Sequence, residues 1–453
     1  MKTAVNKHRL KPVPPVAGNT GSRLCRFLRW AVLSLSMTAW SQPAPPLRPM
    51  EPEASRTFGD RLAHATSDER IKAYETMLRA SPDDSRLLAN LVSAHLQKLR
   101  ETGDYRYLDQ ASQLVDRMLA RDGGNFEALR FENEVDLQRH DFRAVAERSR
   151  DMIRYNASDP GIWGNLGDSL MELGEYDGAR EAYTRMFGLR PNLASYNRLA
   201  YLRFVTGDAD AAIGLMKAAM EAGSAMPENT AWCWAELGDM YFKTGKLDQA
   251  EKAYRKALSL FPSLHRAYAG LGKTTAARGD AAGAIRNYQR AQSIVPLVEY
   301  AGALEDLFLA AGMKDKARQQ RELLEAIEKI GSVTNEKTNR NLALILADHK
   351  RNLQLAVQLV QAEIPGRPDV YTWDALSWVL FRSGSLAEAR DASAKALKYN
   401  TPEPVFFYHA SDIAEASGDH EAARKYSKQL MALNPKFDAG LAARESYLAR
   451  DGK

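Results

Sequence analysis

Residues 233–262 read "CWAELGDMYFKTGKLDQAEKAYRKALSLFP". Apolar and small residues recur through it at helical spacing, "TGK" interrupts the pattern at residues 244–246, and Pro262 ends it. The stretch predicts two amphipathic helices joined by a tight turn. Each helix buries one face of a 3.6-residue period, Gly245 supplies a turn in which φ can be positive, and proline cannot continue the second helix. Gly238 and Ala250 are small enough to let the two backbones approach, and Trp234 and Tyr254 fill the remaining space.

The same offsets recur on both sides. "IWGNLGDSLMELGEYDGAREAYTRMFGLRP", residues 162–191, carries Trp163, Leu166, Gly167, Gly174, Ala179, Tyr183 and Pro191 in matching places. "AYAGLGKTTAARGDAAGAIRNYQRAQSIVP", residues 267–296, does so with Tyr268, Leu271, Gly272, Gly279, Ala284, Tyr288 and Pro296. Pro262 to Pro296 and Gly245 to Gly279 are both intervals of 34 residues. This pattern resembles the tetratricopeptide repeat family. The resemblance implies an all-α fold, a right-handed superhelical solenoid of stacked helix-turn-helix units. It also implies a concave face, lined by the first helix of each unit, that binds a peptide or a protein partner.

Weaker units extend the array. Gly207 and Ala212 mark one, followed by an insertion around "AGSAMPE" (222–228), and Gly312 and Ala317 mark another. Ala356, Pro368, Trp373, Gly384, Ala389, Gly418, Ala423 and Pro435 keep the phase toward the C-terminus. Residues 159–328 hold the well-formed repeats and 59–158 degenerate ones ("IKAYETMLRASP", ending at Pro82, reads as a second helix). Residues 329–453 hold an irregular connection, "EKIGSVTNEKTN", and the C-terminal repeats. About ten or eleven units fit between 59 and 445.

Two look-alike motifs lose their force in this frame. Gly272-Lys273-Thr274 echoes the end of a phosphate-binding loop, but that loop needs glycine where the chain has Ala267. The repeat phase puts all three residues on a first helix. Arg278-Gly279-Asp280, an adhesion tripeptide by spelling, falls on the turn between helices.

Seven of the 62 basic residues lie before residue 42, where there is no Asp or Glu, leaving 55 basic against 57 acidic residues in the rest. The body of the chain is therefore not a general binder of nucleic acid, which needs a basic surface. The basic start precedes an eleven-residue apolar run, "WAVLSLSMTAW" (30–40), too short for a bilayer span of roughly 20 residues. Basic flank, apolar core, Ala39 and Ser41 predict a signal peptide over 1–41 and an exported protein, periplasmic or of the cell envelope. Any membrane association is through this segment alone. "QPAPPLRPMEPEAS" follows, and its prolines predict a semi-rigid linker over 42–58.

No His, Cys or carboxylate spacing points to catalysis, a cofactor or a metal. Cys233, between two tryptophans, reads as a packed thiol, and His140 and His420 as turn residues facing solvent. By the resemblance, the groove row is Asn165, Asp168, Asn197, Arg198, Tyr201, Glu236, Asp239, Lys273 and Asp306. Its asparagines and Arg198 would bond a peptide backbone or carboxylate, its recurring aspartates would favour a basic ligand, and Tyr201 would be an aromatic anchor. Members that clamp a chaperone's terminal carboxylate use a Lys and an Asn, where this chain has Gly164 and Asp168. Trp378 and Phe381 face the groove by phase and are candidates for it, but burial between neighbouring units is the reading preferred for the pair. The functional expectation is a non-enzymatic protein-interaction scaffold of the bacterial cell envelope. The alternative is a cytosolic regulatory or self-associating repeat protein whose apolar start is not a leader.

Overall fold

The computed structural model describes Leu62 and residues 65–444, apart from 225, 335–338, 439, 442 and 443. The expected signal peptide and Pro-rich linker lie outside the described residues. Among the described residues the regular structure is helical, with no strand. The helices are α1 (Ser67–Ala80), α2 (Ser85–Thr102), α3 (Arg106–Arg121), α4 (Phe126–Gln138), α5 (Phe142–Tyr155), α6 (Pro160–Glu172) and α7 (Tyr176–Leu189). Then come α8 (Leu193–Val205), α9 (Ala209–Ala222), α10 (Pro227–Lys243), α11 (Leu247–Leu260), α12 (His265–Ala277), α13 (Ala281–Ile294) and α14 (Val298–Ala310). The last are α15 (Lys314–Thr334), α16 (Arg340–Asp348), α17 (Leu353–Glu363), α18 (Val370–Arg382), α19 (Leu386–Ala396), α20 (Pro404–Ala416) and α21 (His420–Leu433).

After α1 the helices form consecutive pairs, α2/α3 through α20/α21, each pair one repeat. Every turn within a pair contains positive φ: at a glycine in eight pairs, at His140 in α4/α5, and at both Lys350 and Asn352 in α16/α17. At "RGD" this punctuation is complete. Arg278 caps α12, Gly279 has φ +88°, and Asp280 accepts a bond of 2.8 Å from the Gly283 N–H to open α13. Lys273 and Thr274 are helical, as the repeat phase required. Without the proline that follows α7, α11 and α13, α15 runs to Thr334, into the stretch expected to be irregular.

Close approach within a pair is set by glycine against tyrosine. Tyr254 on α11 is fully buried between Gly238 and Gly270, and a Cβ on either glycine would come within 3.0 Å of its ring. The buried hydroxyl needs a partner, and donates to Asp239 Oδ1 at 2.8 Å. Tyr183 repeats this on Asp168 at 2.8 Å, with its ring against Gly167.

The solenoid winds back onto itself. The Val370 N–H donates to Tyr176 Oη at 3.1 Å, Thr401 Oγ1 to the Val205 carbonyl at 2.6 Å, and Asn434 Nδ2 to the Phe242 carbonyl at 2.7 Å. These partners are 192 to 196 residues apart, which is one turn of the superhelix. Lys243–Glu403 (2.6 Å) and Arg367–Glu172 are ion pairs across the same seam. Burial opposes the charge on Lys243, but Glu403 and Asp239 more than offset it and hold its pKa up. Turn residues Gly174, Gly207 and Gly245 face the carbonyls of Pro368, Tyr399 and Leu433, so the turn edge of one coil seats on the loop edge of the next.

Candidate functional site

First helices pack on first helices along the inner face, α6 on α8, α8 on α10, α10 on α12. Six residues before each positive-φ turn residue lies one column of this face. Asp168, Tyr201, Asp239, Lys273, Asp306 and Trp378 occupy it on α6, α8, α10, α12, α14 and α18. The structure thus sets most of the sequence-derived row in order along one wall, with Asn165, Asn197, Arg198 and Glu236 beside it.

Their partners correct several expectations. Asp168 was expected to favour a basic ligand and Arg198 to bond a peptide. Instead Arg198 reaches back one unit and grips Asp168 through Nε at 2.8 Å and Nη2 at 2.7 Å. Asp239 is held by Arg266 at 3.3 Å and Lys273 at 3.6 Å, and Arg266 also pairs with Glu236. Asp306 pairs with Arg444 from the segment after α21. A guanidinium one unit further along is long enough to neutralise the carboxylate, so the aspartates already carry cations of this chain. Tyr201 is half-buried beside Tyr371 against the core that the two coils share, so it packs as well as facing the wall.

Trp378 is 1% exposed and does not face an open groove. Its Nε1 donates to Asp348 Oδ1 at 2.8 Å, and its ring stacks on His409 at 4.1 Å, which is the preferred burial between units. Phe381 is half-buried, 5.4 Å from Trp378 between ring centres. Three members of the row have a buried polar atom without a hydrogen-bond partner: Asp306 Oδ1, Asn165 Nδ2 and Asn197 Oδ1. The two asparagines are a donor and an acceptor on the adjoining helices α6 and α8.

Sequence reasoning missed a buried charge cluster on α14 and α16. Glu305 is fully buried and bonded by Arg321 at 3.0 Å and Arg351 at 2.8 Å. His349 lies 3.3 Å from Asp306, but burial and the arginines around it push its pKa down to about 2, so it is neutral. Burial pushes Asp306 up to about 7 against the pull of Arg444. A cavity of about 310 Å³ opens here, with Lys273, Tyr288, Glu299, Asp306, Asp348 and Arg444 in its wall. One signal was present: Tyr183 and Tyr254 each stand 15 residues after their aspartate, and 15 after Asp306 the residue is Arg321.

Among the described residues no group of three or more His, Cys, Asp or Glu is placed to hold a metal, and no helix is long and apolar enough to cross a membrane. Cys233 is fully buried, and burial pushes its thiol up to about 12, away from nucleophile chemistry. His140 and His420 are exposed.

Family models described as "Tetratricopeptide repeat" match residues 192–263, 235–299, 160–193 and 406–437. No curated protein matches the chain. Among solved structures, MamA is 22% identical over 36% of this chain and 92% of its own, with a TM-score of 0.30. PilW, a "widely conserved type IV pilus biogenesis factor", is 16% identical over 45% of this chain and 93% of its own, with a TM-score of 0.39. With its repeated helix pairs, its glycine-punctuated turns and the family-model matches over 160–299 and 406–437, the chain carries tetratricopeptide repeats.

Proposed function

We propose that this protein is a non-enzymatic scaffold of the bacterial cell envelope that binds an extended peptide segment of a protein partner along its inner wall. The observation that carries the reading is the pair Asn165 and Asn197. A buried amide donor and a buried amide acceptor without partners each cost about 1–3 kcal/mol, unless something satisfies them. A peptide group in extended conformation offers a carbonyl to the one and an N–H to the other. Tyr201, beside them in the column, gives the segment an aromatic surface. Export rests on the basic start and short apolar run, and fractionation tests it: the mature chain is expected outside the cytoplasm, beginning near Gln42.

The binding test is a selection of random displayed peptides on residues 42–453, followed by affinity measurement on the double variant Asn165→Ala, Asn197→Ala. Binding should weaken about tenfold or more, the worth of one or two buried hydrogen bonds, while the melting temperature of the free protein does not fall below that of the parent. Peptides that bind parent and variant equally would overturn the reading.

A further inference from the structure

Three aspartates of the inner column hold an arginine, and they do not hold it in the same way. Arg198 and Arg266 sit on α8 and α12, first helices packed in the solenoid wall. The next first helix is α16, and its capping residue His349, neutral, lies 3.3 Å from Asp306 Oδ1 without a hydrogen bond. The guanidinium that reaches Asp306 belongs to Arg444, 138 residues away, a helical residue after α21. It also faces Asp348 at 3.7 Å and is steadied by Asp438 of its own segment at 2.9 Å. Gly440 lies against the Asp306 side chain, where a Cβ would clash.

The fit is incomplete. Asp306 is 6% exposed and its Oδ1 has no hydrogen bond, and Arg444 Nε is buried without one. The cavity of about 310 Å³ adjoins both; its wall also holds Glu299, Lys273 and the paired Glu403 and Lys243, so that without Arg444 carboxylates outnumber cations. An acidic notch with an unsatisfied carboxylate oxygen, room beside it and an arginine already seated is a receptor for a guanidinium.

We propose that the notch formed by Asp306 and Asp348 receives an arginine side chain of the partner peptide, and that Arg444 of the chain's own terminal segment occupies it until that peptide displaces it. The proposal rests on the inner wall being a peptide site, and adds the side chain it selects. The wall aspartates at the other two rungs stay paired, because their arginines are built into packed helices. Only this rung is filled from outside the ten helix pairs.

The test uses the full chain, its Arg444→Ala and Arg444→Lys variants, and a fluorescein-labelled synthetic peptide of residues 436–453. The peptide should bind Arg444→Ala about tenfold or more tighter than the intact chain, because the notch is vacated. Arg444→Lys should lie between, since an ammonium keeps the charge and loses the fork. The same peptide carrying Arg444→Ala should bind none of the three well. Equal binding to the intact chain and Arg444→Ala, or no binding to either, would overturn the proposal and leave Arg444 a fixed staple. Should Arg444→Ala melt early, Arg444→Lys against the intact chain decides the same question. The Asn165→Ala, Asn197→Ala variant separates the two readings. Loss of the Arg444-dependent difference with the asparagine effect intact strikes the notch alone, and the reverse strikes the wider groove.

Discussion

Asp306 shows how one carboxylate can be both structural and available. Burial raises its pKa from 3.8 to about 7, so in the native chain it takes up a proton at a pH where the unfolded chain has lost it. A folded-state pKa above the unfolded value contributes stability that is full below about pH 4 and is lost as pH rises through about 7. Asp306→Asn cannot titrate. The stability of the parent relative to this variant should therefore be highest near pH 4 and decline toward pH 7, read as denaturant midpoints across that range. A difference that grows with pH would mean that Arg444 dominates over burial. The wall residues were legible in sequence as positions, because repeat phase puts them on one face. Their partners were not. Whether Arg198 reaches forward to a ligand or back to Asp168 depends on the spacing between stacked first helices, which no local pattern carries.

The helix pair is the element on which the rest is built, and its packing was the most legible part of the sequence. Gly238, Ala250 and Tyr254 recur because two backbones and one ring share a fixed volume. Ala250 is completely buried in α11, so Ala250→Leu should overpack the α10/α11 pair at a cost of about 1–3 kcal/mol. Hydrogen exchange should quicken in α10 and α11 and around Asn434, which is bonded to the end of α10, but not in α2 to α5. A uniform rise along the chain would show that the units do not behave as neighbours in a stack. The pairs from α2 to α5, degenerate in sequence, follow the same architecture. There the packing survives with other residues: Asn133 Nδ2 bonds Ser149 Oγ at 3.0 Å across the α4/α5 pair.

The winding of the whole molecule was not legible, because it joins residues 192 to 196 apart through the accumulated twist of several units. Its trace in the sequence is a distinction among turn glycines that repeat phase makes equivalent. Gly207 and Gly384 have the same φ, +92°, but a Cβ at Gly207 would lie 2.6 Å from the Tyr399 carbonyl and one at Gly384 would meet nothing. Gly384→Ala should cost about 1–2 kcal/mol for its backbone alone, and Gly207→Ala about 1–3 kcal/mol more for the seam. Equal losses in thermal or denaturant unfolding would remove the seam from the description. The seam also brings the inner walls of successive coils edge to edge.

Electron–electron dipolar distances between spin labels at Asp177 and Gln361, both exposed near the Gly174–Pro368 contact, probe that seam directly. Coils seated on one another should give one narrow distribution at the short end of the measurable range, broadened and lengthened by Gly174→Val. A broad distribution at long distance in the parent, unchanged by that substitution, would mean that the solenoid is open and that no closed inner wall exists.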